Sequence, residues 1–184
     1  MFVHLFEYLK EAGIGPELAE RTMEEHAYHA HTVLLKEGEV AKQLFFVKQG
    51  CLRMWFNKDG KDITTQFFFE GQAVASIDSF MSREPSLFTL ECIEPCILHQ
   101  ISREDFDWIQ QNIPGAKDGF MAIIFQRFRN YAHLFLSRIK DTPAERYRDL
   151  IHHHPEIIQR IPQHYIASYL GITPISLSRI RNRK

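Results

Sequence analysis

Near the end of the sequence, in IPQHYIASYLGITPISLSRIRNRK (161–184), four cations crowd six positions: Arg179, Arg181, Arg183 and Lys184. Guanidinium groups at this density suit polyanions. Arg179 can take guanine O6 and N7 in a fork, while Arg181, Arg183 and Lys184 neutralise backbone phosphates. Two short helices lead into this cluster. The first, over 163–170, sets Ile166, Ala167 and Leu170 on one face, and Gly171 follows as the residue that accepts a left-handed backbone. Thr173 then caps a second helix whose first turn carries Pro174, with Ile175 or Leu177 joining Ile180 on its buried side. Ala167, four residues before Gly171, allows two helices to cross closely, which is the helix-turn-helix pattern. The candidate DNA contacts are Gln163, His164, Thr173, Pro174, Ser176, Leu177, Arg179, Arg181 and Arg183. Taken alone, these residues leave open an αα-hairpin with a solvated basic tip.

Other constellations carry less. HAHTVLLKEGE places His29, His31 and Glu37 in the order of a histidine-X-histidine…glutamate metal site. The gap from His31 to Glu37 is too long for a cupin, however, and no fourth histidine follows a P-x-G turn. A cupin-like metal-dependent enzyme is thus the rival reading, beside a ligand-binding or interaction module that leaves DNA alone. The three histidines of HHHP (152–155) would point in different directions on a helix and cannot converge on one ion. Cys51, Cys92 and Cys96 contain no CxxC and fall short of the four thiolates of an iron–sulfur cluster. No catalytic triad, P-loop or nucleotide-binding glycine motif stands out, so no enzyme activity is expected.

Charge is unevenly distributed. The 184 residues sum to −1, but residues 141–184 carry +3 and the rest −4. Such a contrast fits an anionic partner at one end. The apolar residues of MFVHLFEYLKEAG are interrupted by charge, and no run approaches a membrane span, so a cytoplasmic protein without membrane contact is expected.

The elements that position these residues follow from periodicity. Residues 2–28 are expected to be helical, with GIGP as a break. From residue 32, short β-branched and aromatic runs close on Gly38, Gly50, Gly60 and Gly71, a rhythm of sandwiches and barrels. NKDG (57–60) reads as a hairpin turn, and two further strands are expected near 88–93 and 96–101. Ser102 is a natural N-cap with Asp105 three residues on. A helix over 117–140 carries a stripe of Phe120, Ile124, Phe128, Tyr131 and Phe135, broadened by Met121, Ile123 and Leu134, which suits pairing with its own copy. In KDTPAERY (140–147), Thr142 caps the next helix, with Pro143 at its first position and Glu145 close behind.

The order of LLKEGE…LFFVKQGCLRM, ISREDFDWI, TPAERYRDL and IASYLGITPISLSRI resembles the cyclic-AMP receptor/FNR (Crp/Fnr) superfamily of transcription regulators over nearly the whole chain. The resemblance implies an α+β protein: a jelly-roll β-sandwich sensor of the cyclic-nucleotide-binding type (1–116), a dimerisation helix (117–140) and a helix-turn-helix DNA-binding domain (141–184). As the sequence stops after the recognition helix, no C-terminal wing is expected. The resemblance further implies a homodimer on double-stranded promoter or operator DNA, with RNA polymerase and a small-molecule effector as candidate partners. The family's ligand cassette, of the form G-E-L…R-S/T-A, falls here on Ala75, Ser76, Ile77, Arg83, Ser86 and Leu87. Ala75 and Ser76 replace Gly-Glu, and Ser86 stands in for the arginine that pairs the cyclic phosphate. A buried phosphate without its cation is costly, so the expected effector is something other than cyclic AMP, or none, and no cofactor is expected. Pro174 and Ile175 occupy positions where well-known members carry Arg and Glu, so base preference should differ.

Overall fold

The computed structural model describes Thr22 and residues 24–182. By contacts the chain divides into two compact units, Met1–Phe56 with Gln66–Lys117, and Asn57–Thr65 with Asp118–Lys184.

The first unit is a β-sandwich with helices. One antiparallel sheet runs in the order β1 (Glu25–Tyr28), β8 (Cys96–Ser102), β3 (Gln43–Gln49), β6 (Ala73–Val74). The other runs β2 (Val33–Leu35), β7 (Thr89–Cys92), β4 (Leu52–Lys58), β5 (Lys61–Phe68). The expected glycine punctuation is present, with Gly38, Gly50, Gly60 and Gly71 all at positive φ. At Gly50 the requirement is steric as well as conformational: a Cβ there would lie 2.6 Å from both Cys96 Sγ and the Pro95 carbonyl. Leu52, Met54, Leu90 and Cys92 face one another across the β4–β7 pair and are buried, as strand alternation requires.

Two short elements escaped the sequence, β6 and the helix α1 (Ile77–Ser82). A third difference is a correction. Residues 25–28, expected to close a helix, form β1 in register with Cys96–His99 of β8. The preceding part of that expected helix lies outside the described residues, Thr22 apart. Ser102 caps α2 (Arg103–Asn112) as expected, its hydroxyl accepting the Asp105 N–H at 3.0 Å.

The second unit combines the tip of the β4–β5 hairpin, residues 57–65, with the helices α3 (Ala116–Lys140), α4 (Pro143–His153), α5 (Pro155–Arg160), α6 (Gln163–Leu170) and α7 (Pro174–Asn182). Thr142 and Glu145 close a reciprocal capping box at the start of α4. The sequence did not reveal α5 as a separate element. The large apolar side chains that α3 exposes are Met121, Phe125, Phe128, Tyr131, Phe135, Leu136 and Ile139. Of the expected stripe, Met121, Phe128, Tyr131 and Phe135 are exposed, whereas Phe120, Ile123, Ile124 and Leu134 are half-buried.

Candidate nucleic-acid interface and ligand cassette

The core of the α6–α7 pair sets the direction in which α7 faces. Ile157, Ile161, Ile166, Leu170 and Leu177 are buried, and Ala167 is 0% exposed. Gly171, at φ 70° and ψ 33°, donates its N–H to the Ser168 carbonyl at 3.0 Å, and the Ile172 N–H reaches the Ala167 carbonyl at 2.9 Å. This satisfies the end of α6 and turns the chain sharply into α7. Arg138 and Arg146 add cations to that same helix end, bonding the Tyr169 and Leu170 carbonyls at 2.8 and 3.1 Å. From α6, Ser168 Oγ accepts the Thr64 N–H at 2.9 Å and donates to the Asp62 carbonyl at 2.8 Å, both on β5. All of these contacts lie within the second unit.

Of the expected contact residues, Gln163 and His164 are exposed at the N-terminal end of α6. Thr173, Pro174, Arg179 and Arg181 are exposed on or beside α7, which carries no acid in its first turn. Arg183 lies outside the described residues. Leu177 is a correction: at 1% exposure it anchors α7 to the core and cannot reach a groove. Ser176 is half-buried, and its hydroxyl lies 3.0 Å from Thr173 Oγ1, which also accepts the Ser176 N–H at 3.1 Å. The Thr173 hydroxyl is thus the helix cap, and the Ser176 hydroxyl bonds to it. The open choice between Ile175 and Leu177 resolves on Leu177, leaving Ile175 exposed. Ser178 and Asn182, passed over in the sequence, share its exposed side of the helix. The signal that could have found them was helix phase: once Leu177 and Ile180 fix the packed side, a 100° step places these positions opposite.

The ligand cassette is closed on itself. Ser76 and Ser86 are buried with their hydroxyls 2.9 Å apart. The Ser86 hydroxyl donates to Ser76, accepts the Phe88 N–H at 3.1 Å and also lies 2.7 Å from the Phe88 carbonyl. The Ser86 backbone is held from both sides, its N–H on the Glu39 carbonyl and its carbonyl on the Gly38 N–H, each at 2.8 Å. Arg83 ends α1 in the left-handed conformation and is exposed, as is Leu87; Ile77 is half-buried and Ala75 buried. A cavity of about 670 Å³ borders Ala75 and Ser76 and is lined by Leu35, Phe45 and Leu90, with Glu39 and Lys42 carrying its charges. A cyclic nucleotide needs a carboxylate for its ribose and a guanidinium for its phosphate. At the positions where the resemblance implies those two groups, this chain carries Ser76 and Ser86, bonded to each other.

The rival metal site does not assemble. His31, at φ 66°, places Nδ1 3.4 Å from Glu91 Oε1, and no group of three His, Cys, Asp or Glu among the described residues is arranged to hold a metal.

Comparison with known proteins agrees with this architecture. Residues 25–112 match the family model of the cyclic nucleotide-binding domain. No curated protein sequence matches. Among solved structures, FixK2 from Bradyrhizobium japonicum superposes with a TM-score of 0.75 at 18% identity, over 87% of this chain and 83% of that one. The c-di-GMP responsive global regulator CLP of Xanthomonas campestris gives 0.71 at 19%, over 90% and 89% of the two chains. A chain from Eubacterium rectale described as a crp/fnr-family transcriptional regulator gives 0.71 at 16%, over 95% and 85%. The fold is that of these regulators: a sandwich of two antiparallel sheets followed by a helical C-terminal region.

Proposed function

We propose that this chain, which carries a cyclic nucleotide-binding domain over residues 25–112 and the Crp/Fnr regulator fold, is a sequence-specific DNA-binding transcription regulator. The observation that carries the reading is α7 itself, where Arg179 and Arg181 both stand exposed on a helix with no acidic residue. Such a helix can enter a major groove, with Arg179 on its outward side at a base edge and Arg181 on its flank at the sugar–phosphate backbone. Gln163 and His164, at the start of α6, suit the crossing of the phosphate backbone by the first helix of the motif.

The regulator acts as a homodimer paired along α3. Met121, Phe125, Phe128, Ala132, Phe135 and Ile139 recur at alternating four- and three-residue steps, and all but half-buried Ala132 are exposed. This is the a/d spacing of a coiled-coil seam, and an apolar line of that length on one helix calls for a partner. Pairing would hold two α7 helices about one duplex turn, ~34 Å, apart. The sandwich is the sensor half, answering to an effector other than cyclic AMP or to none. The protein performs no catalysis and works in the cytoplasm, with RNA polymerase as the partner it recruits or blocks. No helix among the described residues is long and apolar enough to cross a membrane.

The test is a gel shift on the gene's own upstream DNA across a salt series. Affinity should fall steeply with salt as phosphate counterions are displaced. Arg179→Ala should relax preference at one base position by about 1–3 kcal/mol. Equal binding by the wild type and an Arg179/Arg181/Arg183 alanine triple would overturn the reading.

A further inference from the structure

Resting on the DNA-binding reading, we infer that Ile175 reads the 5-methyl group of a thymine, and that each operator half-site carries this thymine within two base steps of the guanine taken by Arg179. The inference starts from helix phase. Leu177 is 1% exposed and Ile180 and Ser176 are half-buried, which fixes the side of α7 that packs on α6. Ile175 lies on the other side at 66% exposure, between exposed Pro174 and exposed Arg179.

An isolated surface isoleucine ordinarily needs no explanation. This one stands on the side of the reading helix that turns away from the core, in its first turn, where side chains reach base edges. The polar alternatives in that turn are committed elsewhere, because the Thr173 hydroxyl caps the helix through the Ser176 N–H and the two hydroxyls bond each other. What the first turn presents outward is therefore an apolar corner formed by Pro174 and Ile175. In the major groove, the thymine methyl is the group that such a corner recognises. Ile175 and Arg179 stand four residues apart on one ridge of the helix. Side chains so placed are about 5–6 Å apart, and base pairs repeat about every 3.4 Å, which puts the two contacts one or two steps apart.

The experiment uses the full chain and duplexes selected from a random pool, with each thymine of the selected site replaced in turn by uracil, which lacks only the methyl. For the wild type, one thymine per half-site should lose roughly fourfold in affinity on replacement, as expected for one methyl returned to water. Ile175→Ala should bind the thymine and uracil duplexes alike, with a melting temperature equal to that of the wild type. A wild-type thymine-to-uracil ratio near one at every position would overturn the inference, as would an Ile175→Ala variant that keeps the wild-type ratio. In both cases the selected, salt-sensitive binding would leave the regulator reading standing. If the selection enriches no duplex and the arginine triple binds as the wild type does, the regulator reading itself has failed and the inference falls with it.

Discussion

Ser76 and Ser86, ten residues apart in sequence, share a buried hydrogen bond of 2.9 Å at the positions where the Crp/Fnr resemblance implies a carboxylate and a guanidinium for a cyclic nucleotide. Inserting a cyclic phosphate would break this bond and leave the anion without a guanidinium, a loss of several kcal/mol, about 1–3 per broken contact and more for the charge. Titration calorimetry with cyclic AMP should accordingly show no saturable heat at micromolar concentrations. Micromolar binding would mean that the loop rewinds to bring Arg83 inward.

Glu91 is the hub of the other buried polar cluster. Arg53 stands directly opposite it across the β4–β7 pair, and the two are 1% and 7% exposed with the guanidinium 2.8 Å from the carboxylate. Trp55 Nε1 donates to the same carboxylate oxygen at 2.9 Å, and the guanidinium lies 4.8 Å from the centre of the Trp55 ring. Deleting one partner of a buried pair strands the other, so Glu91→Ala should destabilise the sandwich by about 3–5 kcal/mol in urea unfolding. A loss below about 1 kcal/mol would show that water reaches Arg53 readily.

The seam on α3 gives a third expectation. Replacing Phe128 and Phe135 with Glu should place like charges at the centre of the paired helices. Light scattering should then report a monomer, with the helix content by circular dichroism unchanged within the second unit. A dimer that survives both changes would move the pairing surface elsewhere.

Acid should weaken the start of α4. The Thr142 N–H, followed by its hydroxyl, donates to the Glu145 carboxylate, each at 2.7 Å, and holds its pKa below the ordinary value. A depressed carboxylate stabilises the fold above its unfolded pKa, and that contribution disappears as pH falls through the folded one. The melting temperature of the wild type should therefore approach that of Glu145→Gln as pH falls from about 5 to about 3. Thr142→Ala, which removes the cap itself, should cost about 1 kcal/mol at neutral pH.

Much of this was legible because local chemistry dictated it. The strand-closing glycines, the caps at Ser102 and Thr142 and the turn at Gly171 each depend on residues within a few positions. What stayed hidden depends on partners distant in sequence. The segment EHAY follows a charged, helix-like run and becomes a strand because β8 offers it an edge. Leu177 was misplaced among the groove contacts because several apolar residues in a nine-residue helix leave its phase ambiguous until the core is known. On α3, 3.6-residue counting added Phe120 and Ile124, which are half-buried, and passed over the exposed Phe125 and Ile139 that a seven-residue repeat picks out. The serine pair in the cassette shows the opposite case: the substitutions were visible as letters, but their mutual bond was not.

The Ser168 hydroxyl, which meets Asp62 and Thr64 across about a hundred residues of chain, bears on how a chain of this fold can be recombined. A chimera spliced at residue 117 alone would transplant the helices without the tip of the β4–β5 hairpin, residues 57–65, that belongs to the same compact unit. Grafts that carry this hairpin tip along with the tail should keep its bonds to Ser168, and those that leave it behind should melt earlier.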